Sequence, residues 1–83
     1  MPYHHVYIVR CRDGSFYTGY ALDPIARVER HNTGKGAKYT ASRRPVTLVF
    51  TQKFRSLSRA LKREHELKQW TRAEKEALVS RSR

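Results

Sequence analysis

Two tyrosines lie on either side of a turn in the segment HVYIVRCRDGSFYTGY, residues 5–20. An Asp-Gly pair between β-branched and aromatic residues is a strong hairpin signal, so Tyr7 and Tyr17 belong to two paired strands. Side chains alternate faces along a strand, so the turn length decides whether the two phenols share a face. A two-residue turn separates them, whereas a three-residue turn at 12–14 puts them on one face with Tyr7 opposite Gly19. The rings could then act together, or they could simply pack as strand aromatics do.

One carboxylate occupies an unexpected position in the helix predicted after Ser56. With Leu57 at the centre of the apolar stripe, Glu64 falls within about 20° of that centre, where an apolar residue is expected. Desolvating a carboxylate there costs on the order of several kcal/mol unless a cation or hydrogen-bond donors meet it. Two interpretations stay open: a structural salt bridge with an arginine, or a ligand for Mg²⁺, which often takes only one or two carboxylates plus water and phosphate.

A basic pair lies on the helix predicted over residues 24–33. Arg27 and His31 are four residues apart and therefore share a helix face. Such a pair is most often solvated surface, but here Asn32 and the basic loop GKGAK follow directly. A guanidinium can hold phosphate oxygens bidentately and stabilise the charge that develops on them. The pair therefore favours phosphate chemistry.

The elements that must position these residues form an α+β pattern. We predict strands His4–Cys11 and Ser15–Tyr20, then a helix that Asp23 caps and Pro24 opens, with Ile25 and Val28 facing inward. A glycine-bearing loop with one helical turn near 37–41 leads to a third strand. The third strand is Val46–Phe50, with room to extend to Phe54. A helix follows from the Ser56 cap to about Gln69. After a corner at Trp70, a last helix runs to Val79 and begins with a Thr71–Glu74 capping box. The expected fold is one domain, residues 1–83, with a small three-stranded antiparallel sheet flanked by helices in the order β-β-α-(short α)-β-α-α.

The charge of the chain points to a polyanionic partner. Eighteen Lys and Arg against seven Asp and Glu give a formal net charge of +11, which a compact fold tolerates best when a polyanion uses it. Nucleic acid is the leading partner, and a membrane surface ranks behind it because no stretch combines a wide apolar face with a basic one. The start MPYHH lacks the pattern of a secretion signal, and one cysteine gives no disulfide framework, so we expect a cytoplasmic protein.

Two other chemistries are not supported by the motifs. The glycines at 34–36 lack the spacing of a nucleotide-binding P-loop and the hydroxyl residue after its lysine, which argues against nucleotide hydrolysis. The four histidines do not have zinc-ligand spacing.

Taken in order, V-Y-I, Y-T-G, Arg27 with His31, and Glu64 within ALKREHELK resemble the GIY-YIG nuclease family, and in particular its small stand-alone bacterial branch. The resemblance runs from Val6 to about Leu78, and the stretches HNTGKGAKYT and RRPVTLV match that branch closely. Two positions depart from the pattern of the family. His5 replaces the first-motif glycine, and WTRAEKEALVSRSR does not supply the asparagine that many members carry after the metal-binding helix.

The resemblance implies metal-dependent phosphodiester hydrolysis of DNA, with a structure-selective, repair-related role. The chain has no evident recognition helix or base-reading motif, so we expect low sequence specificity. Glu64 would hold one Mg²⁺ or Mn²⁺ ion, and Tyr7 and Tyr17 would lie beside the scissile phosphate. Arg27 would stabilise the developing charge, and His31 would accept a proton or position the group that does. These roles need both tyrosines on one face of the sheet, so we predict the three-residue turn. In that register Gly19 lies opposite Tyr7 and should leave open space for phosphate or water.

Basic residues of the loop extend this expected site. They would follow the phosphate backbone of DNA, with RNA as a second candidate, through salt-sensitive contacts; they are Lys35, Lys38, Arg43 and Arg44. The alternative function is a non-catalytic nucleic-acid-binding module of the same fold.

Overall fold

The computed structural model describes residues 3–82, which form a three-stranded sheet and four helices. The sheet has the order β2-β1-β3, and both pairings are antiparallel. The elements are β1 (His4–Arg10), β2 (Phe16–Ala21), α1 (Pro24–Asn32), α2 (Lys38–Ala41), β3 (Thr47–Phe54), α3 (Leu57–Lys68) and α4 (Arg72–Arg81). The predicted α+β class and element order are confirmed, and the third strand extends to Phe54.

The hairpin between β1 and β2 has the predicted three-residue turn. The Cys11 N–H donates to the Ser15 carbonyl at 2.8 Å, and the Gly14 N–H donates back to the Cys11 carbonyl at 2.9 Å. Gly14 has φ of 86°, the left-handed conformation that glycine adopts without a Cβ penalty. The resulting register pairs Tyr7 with Gly19.

The central strand β1 is covered on both faces, which explains its uninterrupted apolar run. Val6 and Ile8 belong to a core cluster with Ala60 and Leu67 of α3. On the other face, Tyr7 and Val9 belong to a second cluster, against which Tyr17 of β2 and Val28 of α1 pack. The sheet therefore separates a face covered by α3 and α4 from a face covered by α1, and both tyrosines belong to the α1 face.

Helix α1 begins as predicted, but one of its two expected core residues is exposed. The Asp23 carboxylate accepts a hydrogen bond from the Ala26 N–H at 3.1 Å, and Pro24 occupies the first turn. Val28 packs against the core as expected, whereas Ile25 is 69% exposed. The prediction for Ile25 is wrong because the short helix directs only one side toward the sheet.

Helix α3 buries a stripe different from the predicted one. Leu57 and Leu61 are exposed, whereas Ala60 and Leu67 are fully buried. Glu64 lies four residues after Ala60 and three before Leu67, so it shares the face of these two buried residues. Glu64 therefore does face inward, with a side chain only 18% exposed, although the stripe is centred elsewhere.

The chain turns sharply at Trp70 into α4, which begins with the predicted capping box. The Thr71 hydroxyl accepts from the Glu74 N–H at 3.2 Å, and the Glu74 carboxylate accepts from the Thr71 N–H at 2.8 Å. Within residues 3–82, the helices are all too short and too polar to cross a membrane.

Candidate functional site

Tyr7 lies at the centre of the sheet with its side chain 1% exposed. Its ring covers Gly19 of the neighbouring strand so closely that a Cβ atom on this glycine would lie 2.5 Å from the hydroxyl oxygen and 2.6 Å from Cζ. The expectation of open space over Gly19 is therefore wrong, because the phenol ring itself fills that space. The glycine instead allows the ring to lie flat across the edge strand.

His31, in the last turn of α1, joins Tyr7 to the following loop. Its Nε2 lies 2.8 Å from the Tyr7 hydroxyl, and its Nδ1 lies 2.8 Å from the Thr40 hydroxyl, which donates to the Ala37 carbonyl at 2.9 Å. A tautomer with the proton on Nδ1 satisfies all three contacts, with Nε2 accepting from Tyr7. The Ala37 N–H is also directed at Nδ1, at 3.4 Å, and this longest of the contacts is the one that this tautomer does not satisfy. The sequence therefore builds a buried chain of hydrogen bonds from the sheet to the loop.

Gly36 is required for this arrangement. A Cβ atom at Gly36 would overlap Nδ1 of His31 and lie 2.9 Å from its Cα. The glycine therefore lets the loop pass directly over the imidazole, which is only 2% exposed.

Tyr17 forms a wall of the same site. Its ring meets the His31 ring edge-on, with centroids 5.4 Å apart, and stacks against Tyr39 at 6.0 Å. The Lys68 ammonium lies 5.9 Å from the centroid of the Tyr17 ring. The predicted shared face of the two tyrosines is confirmed.

Burial and nearby charges set the protonation states of the central pair. Burial raises the pKa of Tyr7 to about 12, with further increases from Tyr17 and Glu64 that the positive charge of Arg27 partly offsets. Burial, and then the charge of Arg27, lowers the pKa of His31. At neutral pH the phenol is therefore protonated and the imidazole is neutral, as a proton-accepting His31 requires.

Glu64 is paired with a lysine rather than the arginine that the sequence suggested. Its carboxylate lies 3.3 Å from the ammonium of Lys68, one turn further along α3. The same ammonium lies 5.9 Å from the centroid of the Tyr17 ring, so the Glu64–Lys68 pair lies beside the tyrosine site. Within residues 3–82, there is no group of three or more His, Cys, Asp and Glu side chains that could hold a metal ion. One half-buried carboxylate fits Mg²⁺ or Mn²⁺ only where water and substrate phosphate complete the coordination.

Four of the five predicted site residues line one concavity of about 430 Å³, and Glu64 lies outside its lining. Its walls are aromatic and imidazole rings, cations and the loop backbone: Tyr7, Tyr17, Arg27, Arg30, His31, Lys35, Gly36 and Ala37. Arg30 was not among the predicted site residues, although its spacing of three from Arg27 on the same helix was a usable signal. Thr40 was not predicted either, and the sequence has no signal for it, because only the packing of α2 against α1 brings its hydroxyl to the imidazole.

The four basic loop residues have different environments. Lys35 lines the concavity, and Lys38 is exposed at the start of α2. Arg43 donates to the Asp13 carboxylate at 3.2 Å and the Tyr39 carbonyl at 2.7 Å. Arg44 donates to the carbonyls of Ala41, at 2.8 Å, and Asn32, at 3.3 Å. Both arginines therefore hold the loop in shape.

The chain is similar to proteins of known family and structure. Residues 3–77 match the family described as the GIY-YIG catalytic domain. A UPF0213 protein of Staphylococcus aureus, SA0446 of strain N315, is 58% identical over 79 residues, which cover 95% of this chain and 96% of that protein.

Two solution NMR structures have the same fold. The UPF0213 protein BH0048 from Bacillus halodurans is 50% identical, with a TM-score of 0.61 over 94% of this chain and 83% of that one. EF2693 from E. faecalis is 45% identical, with a TM-score of 0.65 over 96% of this chain and 85% of that one. The family match over residues 3–77, with these relatives, shows that the chain belongs to the GIY-YIG family.

Proposed function

We propose that this protein hydrolyses phosphodiester bonds of DNA with the help of a divalent metal ion. The observation that carries the proposal is the buried hydrogen bond between Tyr7 and His31 at the base of a concavity whose rim is cationic. The rim cations Arg27, Arg30 and Lys35 suit a phosphodiester, and the neutral imidazole suits proton transfer. Membership of the GIY-YIG family supports the same reaction class.

Tyr7 and His31 would move the proton that hydrolysis requires. A phenol with a pKa of about 12 is a poor base if it must ionise before the reaction. With the proton of His31 on Nδ1, the Tyr7 hydroxyl donates to Nε2 at 2.8 Å, and its oxygen would accept a proton from water while it gives its own to the imidazole. Thr40 keeps the acceptor nitrogen facing Tyr7 by holding the other ring nitrogen.

Arg27 would stabilise the charge on the phosphoryl oxygens, since it is an exposed guanidinium at the rim of the concavity. Glu64 would hold one Mg²⁺ or Mn²⁺ ion, which would supply stabilisation of the leaving oxygen when bound. For this, Glu64 must exchange its ion pair with Lys68 for the ion.

The finer proposal concerns the substrate. Cations bind phosphates whatever the base sequence, so low sequence specificity is expected. The cations that would follow the phosphate backbone of the DNA are Lys35, Lys38, Arg43 and Arg44. We also propose that the protein selects DNA by its shape, as at branched or damaged DNA during repair. We place this activity in the cytoplasm.

A specific observation favours a second candidate, a nucleic-acid-binding module that does not cleave. Lys68 neutralises the Glu64 carboxylate, which the metal-dependent reaction needs, and His5 replaces the first-motif glycine. Such a module would use the positive charge of the chain without the metal.

A cleavage assay on single-stranded, duplex, nicked and branched DNA, with Mg²⁺, Mn²⁺ or EDTA, tests the proposal. We expect metal-dependent products from the wild type and a loss of at least about a hundredfold in Glu64→Gln, with DNA binding retained. Glu76→Gln is the matched control, because its carboxylate is also held in an ion pair, with Arg10, but lies outside the lining of the concavity. Equal faint products from the wild type and Glu64→Gln would indicate contamination and leave the binding module.

A further inference from the structure

A second concavity, of about 620 Å³, lies between α3, the end of β3 and the corner at Trp70. Its aromatic residues, Phe54 and Trp70, pack against the core cluster on the α3 face of the sheet. Tyr7 and Tyr17 belong to the cluster on the opposite face. This concavity, the Trp70 groove, is therefore separate from the site described above, and the proposed mechanism does not use it.

An immobilised guanidinium forms part of the groove. Nε of Arg63 donates to the Gln52 side-chain oxygen at 3.1 Å, and the same guanidinium pairs with Glu66. Its Cζ lies 5.2 Å from the centroid of the Trp70 ring. Three neighbours thus hold a flat cationic group beside a flat aromatic one, and both kinds of surface stack with nucleobases.

Two more cations complete the groove. Arg59 and Lys62 are exposed and, within residues 3–82, lie beyond ion-pair distance of every carboxylate. Glu66 offsets the charge of Arg63, so the lining keeps a net positive charge from these two residues. Aromatic surface for a base beside unneutralised cations for phosphate matches the chemistry of a single-stranded nucleic acid.

We propose that the Trp70 groove binds an unpaired segment of DNA, with a base against Trp70 and Arg63 and its phosphates on Arg59 and Lys62. This inference rests on the proposed function, which gives DNA as the partner, and it extends that function to DNA with a single-stranded segment. Since the two concavities lie on opposite faces of the sheet, the substrate would be DNA that carries a single-stranded arm.

The intrinsic fluorescence of Trp70, the one tryptophan in the chain, reports directly on this groove. The protein is titrated in EDTA, which prevents cleavage, with the oligonucleotide dT8 or with an abasic deoxyribose-phosphate octamer. We expect saturable quenching by dT8 and little by the abasic strand, because quenching needs a stacked base. No quenching by dT8, or equal quenching by both strands, would overturn the proposal. Quenching that grows with protein concentration alone would instead assign the groove to a second copy of the chain.

Paired charge variants test the phosphate contacts. Arg59→Ala with Lys62→Ala should lower the slope of log affinity against log salt for dT8 by about 1.4, the value for two phosphate contacts on a single strand. Arg12→Ala with Arg81→Ala removes the same charge from exposed positions outside the groove and should leave the slope nearly unchanged. Equal losses in both double variants would mean that net charge alone acts, and the groove would not be a site.

The outcome for the groove is separable from that for the proposed function. Glu64→Gln should quench like the wild type, because the carboxylate lies outside the groove. Cleavage by the wild type without quenching would overturn the groove alone. Quenching without cleavage would overturn the hydrolytic function and keep the groove.

Discussion

The Tyr7 hydroxyl and Nε2 of His31 lie 2.8 Å apart, although 24 residues separate them in the chain. One residue comes from the central strand and the other from the end of α1, and both are almost completely buried. Two buried polar groups that satisfy each other avoid the cost of unpaired burial. The same contact orders a proton donor toward its acceptor at the floor of a cationic concavity, so structure and proposed chemistry depend on one hydrogen bond.

Tyr7→Phe should abolish cleavage and also destabilise the fold. Removing the hydroxyl leaves Nε2 of His31 buried without its partner, which costs about 1–3 kcal/mol of unfolding free energy. Tyr20→Phe is the matched control, because its hydroxyl bonds Nδ1 of His4 at 2.6 Å and the ring packs on the other face. Chemical denaturation and the cleavage assay measure the two effects. Cleavage by Tyr7→Phe at the wild-type rate would remove the phenol from the mechanism.

Thr40→Val should slow cleavage about tenfold, because the valine cannot hold Nδ1 of His31 and the imidazole loses its fixed orientation. Thr40→Ser keeps the hydroxyl and should restore most of the rate. The pH–rate profile separates lost positioning of the imidazole from damage to the fold, because only a change in the path of the proton alters the shape of the profile. An unchanged profile in Thr40→Val, with a uniformly lower rate, would indicate a structural role alone.

Gly19→Ala should destabilise the protein by about 1–3 kcal/mol, because the new methyl group overlaps the Tyr7 ring and forces it to move. In a chain of this size, each kcal/mol lowers the melting temperature by about 4–8 °C. The control is the same change in a Tyr7→Ala background, where no ring occupies the space. Equal costs in the two backgrounds, measured as a double-mutant cycle, would contradict the proposed overlap.

The stability of the protein should fall in mild acid because of His31. Its pKa is lowered in the folded state from the ordinary value of 6.5, so the unfolded chain binds this proton more readily. The unfolding free energy is therefore highest above pH 6.5 and declines below it, by up to about 1.4 kcal/mol per pH unit for one group. Thermal melts of the wild type and His31→Gln from pH 8 to pH 5 measure the difference. An identical acid dependence in both proteins would mean that another group is responsible.

Lys68→Ala should increase the affinity for the metal ion, since it frees the Glu64 carboxylate from its ion pair. We expect the half-saturating Mg²⁺ concentration for cleavage to fall several-fold. Lys53→Ala, which removes a lysine near Tyr3, is the control for lost charge. A higher Mg²⁺ requirement in Lys68→Ala would show that the lysine assists the site.

Local patterns predicted most of the fold. The Asp-Gly turn, the Asp23-Pro24 start of α1 and the Thr71–Glu74 capping box depend on neighbours in the chain, and each has the expected geometry. The inward faces of the helices were harder to predict. Ile25, Leu57 and Leu61 were expected in the core and are exposed, because apolar character alone does not specify which side of a short helix meets the sheet.

The sequence by itself determined the order of the elements and the charge of the chain, since both follow from local spacing and composition. It predicted the shared face of Tyr7 and Tyr17 only through the family resemblance, because the Asp-Gly pair is compatible with a two-residue turn as well. Only the tertiary structure decided that His31 bonds Tyr7 and Thr40, that the phenol fills the space over Gly19, and that Lys68 is the partner of Glu64. Three of these four contacts join residues from different elements or loops, so they depend on how strand, helix and loop pack. Glu64 and Lys68 lie four residues apart on α3, so local spacing allowed the pair, and packing buried its carboxylate end.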